Sequence, residues 1–368
     1  MTKGAERYRL SDIAEALHAR LYGDGDLMIS GAAEPAMAGP EDLALAMAPK
    51  YAEGLPKGSA RAAILWEGAD WQALGLDAAL FVPRPRYALA GLTKRLDPGP
   101  AIADGIHPTA VVDPSAVIGP GAAIAPFVVI GPGVTIGRGA RIASHVSVGE
   151  GATIGDDVLL HAGVRVGRNV RIGDRFIAQP NASIGGDGLS FVTPEKSGVE
   201  RARETMGDQG ELLRQSWTRI HSLGSVVIGD DVEVGANACI DAGTIRPTRV
   251  GTGTKIDDLC MVAHNVEVGE HCLMAGLTGI AGSTKVGDRC VFGGQSGVVD
   301  NIEVGDDVIV TAATKVLSNA PAGRVLMGYP AVKLETHVDM YKALRRLPRL
   351  LSELRGGKKA VPKSGENG

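Results

Sequence analysis

From Ile106 onward an aliphatic residue returns at every sixth position, with small, polar or charged residues between. The first run is Ile106, Val112, Ile118, Ile124, Ile130, Ile136, Ile142, Val148, Ile154, Leu160, Val166, Ile172, Ala178 and Ile184. The beat restarts at Ile228, Val234 and Ile240. After four inserted residues in "TIRPTR" it resumes at Val250, Ile256, Val262, Val268, Met274, Ile280, Val286, Phe292, Val298, Val304, Val310 and Val316. A period of six belongs to neither an α-helix nor an ordinary strand. It fits a parallel β-helix, in which short strands joined by tight turns each point one aliphatic side chain inward. If three repeats close one coil, the series builds about ten coils, a column of roughly 48 Å at ~4.8 Å per coil. A β-sandwich gives no reason for such phasing.

The beat is interrupted between Ile184 and Ile228 by a long polar, charged stretch that reads as a loop leaving the column, about 185–225. Residues 1–100 lack the beat. There "SDIAEALHARL" predicts an amphipathic helix with Ser11 as N-cap, and "LALAM", "AAILW" and "AALFV" predict short buried strands. "PRYALAGLTKRL" predicts a second helix, so this is a small α/β domain, with "LDPGPAIADG" as its linker. The β-helix is expected over 101–332 and a C-terminal helix over 333–356, with Pro348 as a break point. The tail, 357–368, has the composition of a disordered segment. Lys342, Arg345, Arg346 and Arg349 share one face of the C-terminal helix, either as a solvated face or as a docking patch for an acidic partner.

Composition narrows the class. The 51 glycines in 368 residues are about twice the average share, while aliphatic residues are plentiful, which suits a folded protein with many tight turns. A net charge of −4 gives no reason to expect nucleic-acid binding. No apolar run resembles a signal peptide or a membrane span. Cys260, Cys272 and Cys290 fall at one slot of the repeat and, with Cys239, read as small packing residues in a reducing cytoplasm.

The beat also predicts neighbours. His264, in "MVAHNVEVGEH", lies two residues after the inward Val262. The same slot holds Gly282 one coil later, Asp300 two coils later and, allowing for the insertion, Ala242 one coil earlier. A histidine facing a glycine leaves room for a substrate and exposes a backbone N–H. Imidazole can take a proton from an attacking amine or hydroxyl, and an N–H can stabilise the oxyanion formed at a thioester carbonyl. Asp257, seven residues earlier, is a candidate for holding the ring tautomer. On spacing alone His264 could equally be structural, and His18, His107, His145, His161, His221, His271 and His337 read that way. No set of three converging histidines marks a metal site.

Four segments together carry a family resemblance: "GGDGLSF", "WTRIHSLGSVVIGDDVEVGANACIDAGT", "KIDDLCMVAHNVEVGEH" and "GIAGSTKVGDRCVFGGQSG". The chain resembles the UDP-3-O-acylglucosamine N-acyltransferases of lipid A biosynthesis. The resemblance implies a left-handed β-helix, a cytoplasmic homotrimer with active sites between subunits, and a nucleotide-binding N-terminal domain. It implies transfer of a 3-hydroxyacyl chain from acyl carrier protein to the 2-amine of UDP-3-O-acylglucosamine. The acyl group rides on the carrier's phosphopantetheine, with no cofactor of the enzyme's own. His264 matches the general base, Asp257 its orienting carboxylate and Gly282 the oxyanion donor. The basic helix face would dock the carrier protein, and side chains near Lys315 to Leu317 would limit the acyl chain. In the nucleotide segment the family's aromatic, Asn and Tyr positions fall on Leu45, Ala48 and Tyr51, so only the tyrosine is kept. Asn301 stands where a second histidine is common, and Ala242 where an arginine is usual. Two alternatives remain: a related acyltransferase acting on a hydroxyl of a UDP-sugar, and a catalytically silent sugar-nucleotide-binding paralogue.

Overall fold

The structure, a computed structural model, describes residues 7–208, 210–211, 214–328 and 331–356. The chain divides into two compact units, one ending at Ala101 and the other beginning at Ile102, inside the anticipated linker.

The first unit is built on a five-stranded sheet in the order Arg20–Gly23, Ala78–Phe81, Ala62–Leu65, Asp42–Ala46, Gly31–Ala33. All neighbours are parallel except the first pair. Alternation sends Ile64 and Leu80 into one core with Leu10, Ile13 and Leu92, and Leu65 and Phe81 into another on the opposite face. Helix Pro85–Leu96 follows the expected span, with proline at its start where a missing N–H costs nothing. The N-terminal helix departs from expectation. It runs Leu10–Ala16 with Arg9 at the cap position, so Ser11 lies within its first turn and donates its backbone N–H to Gly25 O. The chain reverses at His18, in the left-handed region with φ 51°, and "ARL" feeds the edge strand instead.

The second unit carries the repeat. Its strands form three parallel sheets of nine, eleven and ten strands, the three faces of a solenoid. The first face runs from Val117–Ile118 to Glu303–Val304, the second from Gly105–Ile106 to Val325–Leu326, and the third from Val111–Val112 to Lys315–Val316. Partners stack eighteen residues apart, as in Val262 against Ile280 and Ile280 against Val298. The beat residues line one continuous core, whereas Ile106, on the terminal coil, is half exposed. A second buried set lies two residues before the beat positions: Val128, Val134, Ala140 and Val146 are fully buried, and threonine or serine takes the slot at Thr248, Thr254, Thr278, Thr284, Ser296 and Thr314. Cys260, Cys272 and Cys290 belong to that set and are buried free thiols.

The excursion is more ordered than a loop. Phe191–Val192 pairs with Thr218–Arg219, and Gly198–Thr205 is a helix. Ser197 and Glu200 close a capping box at its start, a Ser-x-x-Glu signal that the sequence carries within the expected loop. The C-terminal helix, Leu334–Gly356, runs through Pro348 without ending there, since a proline forfeits one backbone bond in a helix long enough to supply many others. Met340, Leu344, Leu347, Leu351 and Leu354 follow an alternating four–three spacing and are all exposed, forming one apolar seam. By helical geometry that seam lies opposite Lys342, Arg345, Arg346 and Arg349. The tail at 357–368 lies outside the described residues. Among those described, no helix is long and apolar enough to cross a membrane.

Candidate active site

The turn after strand Met261–Val262 leads from the third face to the first and carries His264, which is partly buried. Its ring lies between two glycines. A methyl on Gly282, one coil on, would sit 2.8 Å from His264 Cε1 and 3.0 Å from Nε2. A methyl on Gly188, at the start of the excursion, would sit 2.7 Å from Cβ and 3.0 Å from Cδ2. Both contacts are tighter than side chains tolerate, so both glycines are required for the ring to stand where it does. The Gly282 neighbour follows from the repeat. The Gly188 neighbour does not, because the excursion has to fold back onto the column; its N–H donates to Ser222 Oγ at 3.2 Å.

Gly282 also presents an open donor. At this slot of turns leading from the first face to the second, an aspartate from the following coil accepts the N–H: Asp156 from Arg138 at 2.9 Å, Asp174 from Asp156 at 2.8 Å, and Asp306 from Asp288 at 2.9 Å. Above Gly282 the corresponding residue is Asp300, but its carboxylate accepts from Asn301 Nδ2 at 2.9 Å and pairs with Arg203 of the excursion helix at 3.5 Å. Among the described residues the Gly282 N–H has no partner.

Asp257 does not meet His264 within the chain. It is exposed, in the turn from the second face to the third, and its Oδ2 accepts from Gly276 N at 2.9 Å. Two residues of one strand separate that corner from His264's, so the seven-residue spacing does not bring the side chains together. The partner of His264 Nδ1 is instead Asn265 Oδ1 at 3.0 Å. Asn265 takes φ 63°, which asparagine tolerates better than most residues.

Two further carboxylates flank the histidine. Asp241 is more than half buried, and its side chain has no hydrogen-bond or ion-pair partner among the described residues. Burial pushes its pKa up to about 6; the nearby His264 pulls it down and Asp187 pushes it up further. Asp187 pairs with Arg219 at 3.7 Å, and the Arg219 guanidinium lies over the Phe191 ring. Ala242 is buried and pairs in register with Asp187. Beyond His264 along the third face, outward positions are Met261, Gly279, Gly297 and Lys315, in register. Gly279 faces open space, and Lys315 lies over Gly297 with Nζ donating to Gln295 O at 3.0 Å. The result is a side-chain-free strip ending at a lysine. A cavity of about 460 Å³ at the excursion is lined by Leu189, Phe191 and Trp217.

In the first unit Tyr51 is half exposed with Lys50 Nζ over its ring. Leu45 is packed against the core beside the N-terminal helix, so it offers little surface to a nucleotide. Among the described residues no cluster of metal-ligating side chains occurs.

A hexapeptide solenoid with such a turn defines an acyltransferase of the hexapeptide class. Residues 115–150 match the family described as "Bacterial transferase hexapeptide (six repeats)", and 283–314 match "Hexapeptide repeat of succinyl-transferase". The chain is 67% identical to the UDP-3-O-acylglucosamine N-acyltransferase of Ruegeria pomeroyi, over 97% of this chain and 99% of that one. It is 60% identical to the Paracoccus denitrificans enzyme of the same name, over 96% and 97% of the two chains. The chain belongs to the UDP-3-O-acylglucosamine N-acyltransferase family. Among solved structures, an Arabidopsis UDP-N-acetylglucosamine acyltransferase matches with a TM-score of 0.52 at 23% identity, covering 61% of this chain and 71% of the other. That likeness is one of fold, the left-handed parallel β-helix.

Proposed function

We propose that this acyltransferase moves a 3-hydroxyacyl group from the phosphopantetheine thioester of acyl carrier protein to the 2-amine of UDP-3-O-acylglucosamine, in lipid A biosynthesis. The observation that carries the reading is the His264 ring held between Gly188 and Gly282, with the Gly282 N–H left open. The amine attacks the thioester carbonyl while His264 Nε2 removes its proton. The carbonyl oxygen becomes an oxyanion beside the Gly282 N–H. When the C–S bond breaks, the thiolate leaves and takes the proton back from the imidazolium, giving amide and carrier thiol. Asp241 and Asp187 add negative charge where an amine, cationic before it loses a proton, must approach. The bare outward face at Gly279 offers the acyl chain a path that ends where the Lys315 side chain covers Gly297.

The protein works as a cytoplasmic homotrimer in this reading. The exposed apolar seam of the C-terminal helix suits association with other copies, and Lys342, Arg345, Arg346 and Arg349 on the opposite side suit an acidic carrier protein. Asp257, exposed at a different corner, acts from a neighbouring copy or not at all. Tyr51 stacks on the uracil, while Leu45 is turned into the core and takes no part.

The test is an assay of purified protein with 3-hydroxyacyl carrier proteins of graded chain length against UDP-3-O-acylglucosamine and UDP-N-acetylglucosamine. Transfer to the amine substrate alone is expected. Preferential transfer to the hydroxyl substrate would establish the related O-acyltransferase. Tight sugar-nucleotide binding without transfer to either would establish a silent paralogue.

A further inference from the structure

We infer that Asn265 is a positioning residue that fixes the tautomer of His264 and leaves Nε2 as its only basic nitrogen. The inference rests on the reading of His264 as general base. Asn265 Nδ2 donates to Arg246 O at 2.9 Å, and Asn265 Oδ1 accepts from Thr244 N at 3.1 Å. A backbone carbonyl only accepts and a backbone N–H only donates, so these two partners set the amide orientation without ambiguity. The oxygen is therefore the atom facing His264 Nδ1, at 3.0 Å. An amide oxygen only accepts, so Nδ1 carries the proton, and in the neutral ring the lone pair is on Nε2. That nitrogen lies on the edge of the ring nearest Gly282.

The mount is built by the insertion that breaks the beat. Thr244 and Arg246 belong to "TIRPTR", and Thr248 Oγ1 accepts the Asn265 backbone N–H at 2.8 Å. Asn265 is itself buried, so its amide is not free to turn toward water. The four extra residues therefore have a local task, to hold one amide oxygen against one imidazole. An asparagine does this without adding charge. A carboxylate in its place would favour the imidazolium, which cannot accept a proton at neutral pH. The charged groups around the ring are Asp241 and Asp187, with Arg219 engaged by Asp187, and on the insertion side the Arg246–Glu267 pair.

The test uses Asn265→Gly and Asn265→Asp in the full-length protein. Glycine adopts the left-handed turn freely, so it removes the amide without straining the backbone. We expect kcat to fall about 10- to 100-fold, by analogy with metal-bound histidines that lose an outer hydrogen-bond partner, with KM little changed. The His264 15N signals should lose the pure Nδ1–H pattern. In Asn265→Asp the acid limb of the pH–rate profile should move to higher pH, a shift that a purely structural role would not produce. A glycine variant with unchanged kcat and an unchanged 15N pattern overturns the inference. The 15N pattern is read without turnover, so it judges the tautomer even if His264→Ala proves active and the base assignment itself fails.

Discussion

The turn at Asp174, from the first face to the second, and the turn at His264, from the third face to the first, hold the same slot of the repeat and put it to opposite uses. At Asp174 the carboxylate accepts the N–H of Asp156 one coil back at 2.8 Å, and its own N–H goes to Asp230 one coil on at 2.8 Å. Each coil closes the donors of its neighbour. At His264 no carboxylate closes a donor: the ring faces a glycine, and the carboxylate beyond it, Asp300, is drawn to Asn301 and Arg203. The charges differ in the same way. Arg175 holds Asp231 below the ordinary carboxylate range and Arg289 does so for Asp307, whereas burial pushes Asp241 up to about 6. The turn at Asp174 satisfies its polar groups, and the site turn leaves a base, a donor and a desolvated carboxylate for something else to satisfy.

The hardest blow to this contrast is His264→Ala, which should lower kcat roughly 10²–10⁴-fold while the oligomer stays folded; near-native turnover would leave the site turn an ordinary one. Gly282→Ala should come next, at about 10²-fold in kcat, because its methyl displaces the ring while the backbone needs no left-handed conformation; circular dichroism should be unchanged. The double variant Arg203→Ala/Asn301→Ala frees Asp300 to take the Gly282 N–H as Asp174 takes that of Asp156. A loss of about 10-fold in kcat is expected, from competition for one hydrogen bond, and adding Asp300→Ala should restore activity. Asp174→Ala sharpens the other side, with thermal stability falling by about 1 kcal/mol or less and kcat unchanged.

The smallest effect concerns pH. A carboxyl whose pKa is raised on folding stabilises the fold most at low pH, and that contribution is lost as pH rises through its folded value, about 6 for Asp241. Asp241→Asn should therefore gain thermal stability relative to the parent between about pH 4 and pH 6 and hold the gain above. Asp231 and Asp307, lowered by their arginines, work in the other direction and lose their contribution as pH falls. Melting curves at pH 3, pH 5 and pH 7.5 separate the two, since the arginine-bound carboxylates lose their contribution only below about pH 4 and Asp241 loses its own only above it.

The period of six was sufficient for the solenoid, its in-register stacking and the placing of Gly282 over His264, because identical coils repeat one geometry and a neighbour is found by adding eighteen. The three central strands of the N-terminal sheet and the helix Pro85–Leu96 were legible from apolar runs and a starting proline, whereas the outer strands Arg20–Gly23 and Gly31–Ala33 were not. Ser11 was misplaced because a serine before an apolar run marks a helix start only to within a residue or two.

What the sequence did not supply lies where the chain leaves the repeat. Asp257 was paired with His264 by spacing, but one face of the triangle lies between their corners, and within the chain Asp257 accepts from Gly276. Gly188 reaches the ring because the excursion returns to the column, and Asn265 is clamped because the insertion folds across the turn. A strict repeat carries its own coordinates, since each residue's environment is a copy of another's. Where residues are inserted that copying fails, and the contacts that orient the base are decided by tertiary structure alone.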